Sequence, residues 1–484
     1  MQPPKGVRIQ LTSYTFLLAF LPITLLVYWL LPRGVWRLAF LTLASWVFVG
    51  WYDWRFVLIM VGATTVDWVA ALLMARVRVP ADATLQPQAA HRRRWILIIA
   101  IVANIAILGY FKYRGFFLDS LDGLGSLVGL DLGLPALRVL LPLGISFYTF
   151  SAMSYVIDVY RGDARATRSF LRYAAFIALF PRAIAGPILR WRAVQGDFRD
   201  QPRRLTTRLA ALGLFFLACG LAKKLLIADV MLPHVDALYG NAAHLHFFSG
   251  WAAALGYTLQ LYFDFSGYSD IAVGIAYLLG YHFPQNFDSP YKAANPSQFW
   301  RRWHMTLSFW LRDYVYIPLG GSRRGLSVTV RNLMLTFLVA GIWHGAGWTF
   351  IVWGLLHGLY QSVHAVARKR GLTPGNVWLN RFLTFVAVVV AWVFFRAATL
   401  KQAGQVLKAM AGLNGLGTLY SARLQIGYAF TLLVFAGLAW VNLAPNTWEI
   451  EPKPTWRYGV VFGLLLGAAI LAMGKPAAFV YVQF

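Results

Sequence analysis

Long runs of apolar residues, separated by short basic stretches, extend through most of the chain. Many of these runs approach or exceed the length of about 20 residues that a helix needs to cross the hydrocarbon core of a bilayer. The pattern therefore predicts an all-α polytopic membrane protein. The predicted spans lie near residues 12–31, 38–51, 56–74, 95–111, 139–157, 209–230, 249–268, 328–343, 348–366, 382–396, 425–443 and 458–475.

Two segments do not fit a series of simple spans. Residues 170–188 are apolar, but Pro181, Gly186 and Pro187 interrupt them and basic stretches flank them, so we expect a broken or re-entrant helix. Residues 285–326 are too polar to span a membrane and too rich in aromatic side chains for an ordinary solvated loop. This second segment is expected to form a partly buried layer at the cytoplasmic interface.

Composition and charge support a membrane protein and argue against a nucleic-acid-binding protein. The chain is 59% hydrophobic and only 13% charged, whereas soluble domains are about a quarter charged. The net charge of +26 comes from Lys and Arg in the short stretches between apolar runs, which is typical of cytoplasmic loops that contact anionic lipid headgroups. The single cysteine, Cys219, excludes disulfides and thiolate metal sites.

Two histidines are the candidate catalytic residues. His304 lies in an aromatic and Arg-rich stretch, and His344 lies at the junction of two apolar runs. A neutral imidazole can accept a proton from a hydroxyl and return it to a leaving group. The alternatives are an interfacial anchor helix around His304 and a helix-end His344 followed by capping glycines. His357 and His364 are expected to be packing or interface residues.

Several carboxylates lie beside or within the apolar runs. Asp264, Ser266 and Asp270 form a polar stripe at the end of one run, and Asp313 follows His304. Because buried carboxylates must be paired or protonated, we expect a structural polar network here. No metal site is expected, since the loop that contains His234, His244 and His246 offers only Asp236 as a nearby carboxylate and no cysteine.

Several of these residues lie in motifs that resemble the membrane-bound O-acyltransferase superfamily, and within it the bacterial alginate O-acetylation branch. The motifs are PLGISFYTF at 142–150, FPRAIAGPI at 180–188, LYFDFSGYSD at 261–270, FPQNFDSPY at 283–291, FWRRWH at 299–304, WLRDYVYIPLGG at 310–321 and GIWHG at 341–345. The resemblance covers roughly residues 10–400 in order. Ser151 and Arg182 stand where we expect glutamine in relatives, which puts local contacts in doubt.

The resemblance implies a ring of about 11–13 tilted transmembrane helices with re-entrant segments and a central tunnel. It implies one membrane domain over residues 1–484, with a catalytic core at about 139–396 and a helical tail at 397–484. His344 corresponds to the family's catalytic histidine and His304 to its second functional position. Counting apolar runs places His344 near the outer end of a span, whereas the family places it at mid-membrane.

The function implied is transfer of an acetyl group, in the inner membrane of a bacterium, from a cytoplasmic thioester of coenzyme A or an acyl carrier protein. The acceptor would be an exported, alginate-like polysaccharide or a periplasmic partner acetyltransferase. Basic residues near His304 would attract the phosphates of the donor, namely Arg301, Arg302, Arg312, Arg323 and Arg324. The alternatives are D-alanyl transfer to a cell-wall polymer and a transporter of acyl or saccharide groups that forms no bonds.

Overall fold

The fold is known from a computed structural model, which describes residues 10–77, 87–130, 132, 140–184, 186–417, 426–453 and 455–474. All regular secondary structure in these ranges is helical, as predicted. The predicted spans 139–157, 425–443 and 458–475 each extend one residue outside the described ranges. Within the described residues, each predicted span overlaps a helix, although the bounds differ by several residues or more.

The helices are numbered in chain order. They are α1 Thr15–Leu30, α2 Val35–Gly50, α3 Trp54–Arg76, α4 Gln88–Leu127, α5 Ile145–Arg161, α6 Phe170–Ala178, α7 Trp191–Arg199, α8 Thr207–Gly240, α9 Phe247–Leu279, α10 Pro296–Trp300, α11 Met305–Leu311, α12 Leu326–His344, α13 Trp348–Lys369, α14 Val377–Arg396, α15 Leu400–Met410, α16 Tyr428–Leu443 and α17 Trp456–Leu471.

Lipid contact explains the surplus of apolar surface. Among the described residues, six helices are long and apolar enough to cross a membrane, and three shorter ones are comparably apolar. Large apolar side chains such as Leu26, Leu432 and Leu464 are more than 60% exposed, which suits a hydrocarbon environment and not water. The chain is therefore a multi-pass membrane protein.

Contacts divide the chain into two compact units, residues 1–215 with 271–284, and residues 216–270 with 285–484. In the first unit, the predicted interruption of the segment 170–188 is confirmed. Helix α6 ends at Ala178, and a short 3-10 turn, Phe180–Arg182, follows it. The buried Arg182 guanidinium donates to the Ser151 hydroxyl at 2.6 Å and to the carbonyl of Phe176 at 2.6 Å. The two departures from the family pattern therefore bond to each other.

In the second unit, the segment 285–326 is partly buried, as predicted, and is built of short elements. It contains α10, α11, a π-helical turn at Arg312–Tyr316 and a series of turns up to residue 324. Its aromatic side chains turn inward, and Phe299, Trp300 and Trp303 are buried. None of these elements exceeds seven residues, so none of them is long enough to cross a bilayer.

Helices α12 and α13 form a tight hairpin in the same unit. A Cβ atom on Gly341 would lie 2.4 Å from the carbonyl oxygen of Phe350, and one on Gly354 would lie 2.4 Å from that of Phe337. The two backbones can approach this closely only because both positions lack a side chain, as in other membrane helix pairs built on small residues. The hairpin fixes the position of His344 at the end of α12.

Two adjacent lysines of α8 neutralise the carboxylates of α9. The Lys223 ammonium lies 2.6 Å from Asp270, and the Lys224 ammonium lies 2.6 Å from both Asp264 and Asp229. The lysines occupy a π-helical turn, Ala222–Ala228. Successive side chains of a helical turn point in different directions around its axis, so each lysine contacts different carboxylates. Sequence analysis did not single out either lysine.

Replacing Lys224 is expected to destabilise the protein strongly. The variant Lys224→Met removes the cation that pairs with the buried carboxylates Asp264 and Asp229, and breaking a buried pair in this way costs about 3–5 kcal/mol. Thermal unfolding of the detergent-solubilised protein measures the loss as a lower midpoint. The exposed Lys408→Met in α15 is the matched control and should leave the midpoint within about one degree. An unchanged midpoint for Lys224→Met would show that the ion pair contributes nothing.

Candidate active site

His304 is held in an unusual backbone conformation at the start of α11. Its φ is 42° and its ψ is 53°, the left-handed region, and it is fully buried. For a residue other than glycine this conformation costs about 1–3 kcal/mol and persists only where the surroundings impose it. The ring packs edge-on against Phe265 of α9, with ring centres 4.7 Å apart.

Asn286 bonds to both the ring of His304 and the first turn of α11. The backbone carbonyl of Asn286 accepts from the Met305 N–H at 2.9 Å. Its side-chain oxygen accepts from the Thr306 N–H at 3.3 Å and from the Thr306 hydroxyl at 2.9 Å. The same oxygen lies 3.1 Å from Nδ1 of His304, and the amide nitrogen donates to the Ser269 hydroxyl at 3.1 Å.

His344 is the last residue of α12 and is buried, with 3% of its surface exposed. Its ring meets Trp353 of α13 at 4.7 Å and Phe395 of α14 at 5.2 Å between ring centres. His344 therefore lies at a helix end, as the junction of two apolar runs predicts. Burial among rings from three helices also shows that a helix end can lie inside the protein.

The two histidines come together in the second unit, with ring centres 6.5 Å apart. At this distance one small reacting group can contact both imidazoles. Burial lowers the pKa of His304 to about 3, so its ring is neutral at ordinary pH and is a weak base. The pair can therefore contact one bound hydroxyl, with His344 as the candidate base.

The five predicted donor-binding arginines lie in different environments. Arg302 donates to the backbone carbonyl of Asp288 at 3.2 Å, and Arg312 forms a 2.6 Å ion pair with Asp313. Arg323 and Arg324 lie in an exposed turn. Asp313 therefore pairs locally at the surface, apart from the buried ion pairs of Asp264 and Asp270. Ser266, the third residue of the polar stripe predicted with Asp264 and Asp270, is buried.

Arg301 lines two cavities at once. The larger, of about 720 Å³, lies between residues 294–301, α13 and α14, and it also exposes His364 and Arg368. The smaller, of about 310 Å³, is bounded by α10, α11, α12 and α13, and its wall includes Trp300 and Arg312. Arg301 and Arg368 both line the larger cavity, which therefore concentrates positive charge.

A series of edge-to-face aromatic contacts joins the smaller cavity to the histidines. The ring centre of Trp300 lies 5.8 Å from that of Trp353, which in turn contacts His344. Nδ1 of the buried His357 accepts from the Trp300 indole N–H at 3.2 Å, so His357 is a packing residue, as expected. Among the described residues, no three histidine, cysteine, aspartate or glutamate side chains could together hold a metal ion.

Sequence reasoning missed Asn286 as well as the two lysines of α8. Asn286 lies inside the FPQNFDSPY motif, but nothing in its local pattern indicates a contact with a histidine 18 positions later. The sequence does contain a signal for the lysines, because charged residues within an apolar run require a partner of opposite charge. The carboxylates of α9 are such partners.

Comparisons with known proteins identify the family of this chain. Residues 163–395 match the model of the MBOAT, membrane-bound O-acyltransferase family. The chain is 40% identical to the "Probable alginate O-acetylase AlgI" of Pseudomonas aeruginosa, covering 88% of this chain and 81% of that protein. It is 39% identical to the "Peptidoglycan O-acetyltransferase" of Helicobacter pylori, covering 83% and 79%.

A more distant relative is the "Teichoic acid D-alanyltransferase" of Bacillus subtilis, at 29% identity over 52% of this chain and 66% of that protein. The three names describe transfer of acetyl or D-alanyl groups to alginate, peptidoglycan or teichoic acid, and the region that matches the family contains both histidines. The chain therefore belongs to the membrane-bound O-acyltransferase family and is an acyltransferase.

Proposed function

We propose that this acyltransferase moves an acetyl group from a cytoplasmic thioester, across the inner membrane of a bacterium, to an exported polysaccharide or to a periplasmic partner acetyltransferase. The observation that carries the proposal is the buried pair His304 and His344, with ring centres 6.5 Å apart. Two relatives near 40% identity are named as an O-acetylase and an O-acetyltransferase, which supports acetyl as the group transferred.

In the proposed reaction, His344 removes the proton from the acceptor hydroxyl, and the oxygen attacks the thioester carbonyl carbon. A C–O bond forms, the C–S bond breaks, and the leaving thiolate takes the proton that His344 had accepted. His304 lies beside this centre and either polarises the carbonyl or orients the acceptor. Because both rings are buried, water is kept from the thioester, which limits its hydrolysis.

The donor enters, on this proposal, through the two cavities that share Arg301. Both coenzyme A and the phosphopantetheine arm of an acyl carrier protein bear phosphate, which guanidinium groups bind by charge-assisted hydrogen bonds. The positive charges of Arg301 and Arg368 in the larger cavity suit such a group. From there the thioester end would reach His344 along the edge-to-face pair of Trp300 and Trp353.

The acceptor is proposed to be a polysaccharide of the alginate type. The alginate and peptidoglycan relatives match almost equally, at 40% and 39% identity, and both act on carbohydrate polymers by name. D-alanyl transfer is the weaker candidate, since the Bacillus subtilis relative matches only half of this chain at 29% identity.

Removing the proposed base is expected to abolish acetylation. We predict that His344→Ala lowers transfer of labelled acetyl to polymer at least about 100-fold, the usual contribution of a positioned base. The assay uses membrane vesicles that contain the full-length chain and its host's polysaccharide machinery, with acetyl-coenzyme A and an acetylated carrier protein as the two donors. The amount of each variant in the vesicles is measured to check that it inserts into the membrane.

The control for this variant is His234→Ala, because His234 is exposed on α8 and stacks on Phe430. Its rate should equal that of the wild type. Wild-type transfer by His344→Ala would contradict the assignment of the base, and the absence of any transfer by the wild-type vesicles with both donors would contradict acetyl transfer itself.

Neutralising Arg301 should weaken donor binding specifically. Arg301→Gln is expected to raise the KM for the thioester about 3- to 10-fold with little change in kcat, since an exposed arginine loses part of its charge-assisted interaction to solvent screening. The wild-type KM should likewise rise with salt concentration. Arg199→Gln, at an exposed surface ion pair, is the control. A change confined to kcat would refute a donor-binding role.

A further inference from the structure

A third cavity, of about 270 Å³, lies within the second unit. Its walls come from α8, α9, α16 and α17, from the loop that joins the last two helices, and from Ser289. Neither His304 nor His344 lines it, and it shares no residue with the two cavities that contain Arg301. The cavity is therefore distinct from the sites proposed for acetyl transfer.

Most of this cavity has an apolar wall that suits a hydrocarbon chain. The apolar lining includes Leu226, Ile227, Phe263, Trp440, Val441 and Leu465. The helices α8 and α17 are among those long and apolar enough to cross a membrane, and Leu226 and Ile227 lie in the middle of α8. This part of the cavity therefore lies at the depth of the lipid chains.

The gap between α16 and α17 gives the cavity an entrance from the bilayer. The helix α17 packs against the π-helical turn of α8, but α16 and α17 make few contacts with each other. Trp440, which lines the cavity from α16, is 58% exposed, and Leu464, next to the lining residue Leu465, is 70% exposed. A molecule that enters between these two helices comes from the lipid and not from water.

Lys223 gives the cavity a polar end with an unused hydrogen. Its ammonium donates to the carboxylate of Asp270 at 2.6 Å and to the hydroxyl of Thr447 at 2.7 Å. An ammonium has three hydrogens, and no acceptor within the described ranges receives the third. Since Lys223 lines the cavity and 16% of its side chain is exposed, this hydrogen is available to a bound molecule.

Ser289 supplies a second donor at the same end. The side-chain oxygen of Asn446 accepts from the Trp448 N–H, so its amide nitrogen faces Ser289 and donates to that hydroxyl at 3.3 Å. The hydroxyl of Ser289 therefore keeps its own hydrogen for another acceptor. Its φ of 44° is rare for a residue other than glycine, and such strain is typical of sites that hold a ligand.

The charge at this end favours an uncharged acceptor. The positive charge of Lys223 is already offset by Asp270 at 2.6 Å, so a phosphate bound here would be a buried anion without a counter-charge, which is costly. A carbonyl oxygen is uncharged and accepts two hydrogen bonds. The ester group of a glycerolipid joins such an oxygen directly to a hydrocarbon chain.

We propose that this cavity binds one acyl chain of a membrane glycerolipid, whose ester carbonyl accepts hydrogen bonds from Lys223 and Ser289. The chain lies against Ile227 and Phe263. The charged headgroup stays outside the cavity, because no unpaired cation within the cavity would neutralise it. Binding of this lipid requires no acetyl transfer, so it is tested without an activity assay.

The first test compares two photoreactive lipids on the wild-type chain, in vesicles of phosphatidylethanolamine and phosphatidylglycerol. Both probes carry a diazirine on the same hydrocarbon chain, which is attached by an ester in one and by an ether, without a carbonyl, in the other. Peptide mass spectrometry measures labelling of Phe263, which is 1% exposed but lines the cavity, and of Leu432, which is 69% exposed. Relative to Leu432, the ester probe should label Phe263 about 3- to 10-fold more than the ether probe, since the ether lacks the acceptor for a charged donor.

The second test fills the cavity from the α8 wall. In Ile227→Trp, labelling of Phe263 by the ester probe should fall at least about tenfold, because the indole occupies the space of the chain. The matched control is Leu214→Trp, at a position of α8 that is 51% exposed and does not line the cavity. Its labelling should equal that of the wild type.

Three results would overturn the proposal. Phe263 that neither probe labels shows that no lipid chain enters, and labelling that persists in Ile227→Trp places the chain elsewhere. Equal labelling of Phe263 by the two probes, relative to Leu432, refutes the hydrogen bond from Lys223. If Ile227→Trp fails to fold, the two probes on the wild type decide.

Discussion

Polar groups buried in this chain must find partners within the chain, because neither lipid nor an apolar core can bond to them. The lysines of α8 meet the carboxylates of α9, Arg182 meets Ser151 and backbone carbonyls, and Asn286 satisfies the start of α11. Each pairing joins segments that are distant in sequence or interrupted in structure. The same requirement that stabilises the fold therefore also orients the polar groups of the site.

Two local constraints place the catalytic candidates. The glycines Gly341 and Gly354 let α12 and α13 approach until a single added carbon would overlap a carbonyl oxygen, and His344 lies at the end of that hairpin. The left-handed turn at His304 lets a short helix begin inside the protein. Both constraints lie within the helical fold itself, so a reacting centre can be assembled without a soluble domain.

The positions of the helices could be predicted because lipid contact demands long apolar runs, and the interruption at 170–188 could be predicted from its prolines and glycine. The two histidines could be ranked because their motifs resemble a known family. The hydrogen-bond and ion-pair partners of the buried polar residues could not be predicted, since these depend on which helices face each other. Asn286 looked like a loop residue, and Lys223 and Lys224 looked like an ordinary basic pair.

The central claim is that His304 and His344 act as one unit on one bound hydroxyl. The most direct measurement is a double-mutant cycle on acetyl transfer with His304→Ala, His344→Ala and the double variant. If the two rings serve a single proton-transfer step, the double variant should be about as slow as the slower single variant. Losses that multiply, so that the double variant is slower by the product of the two single effects, would show that the histidines act independently.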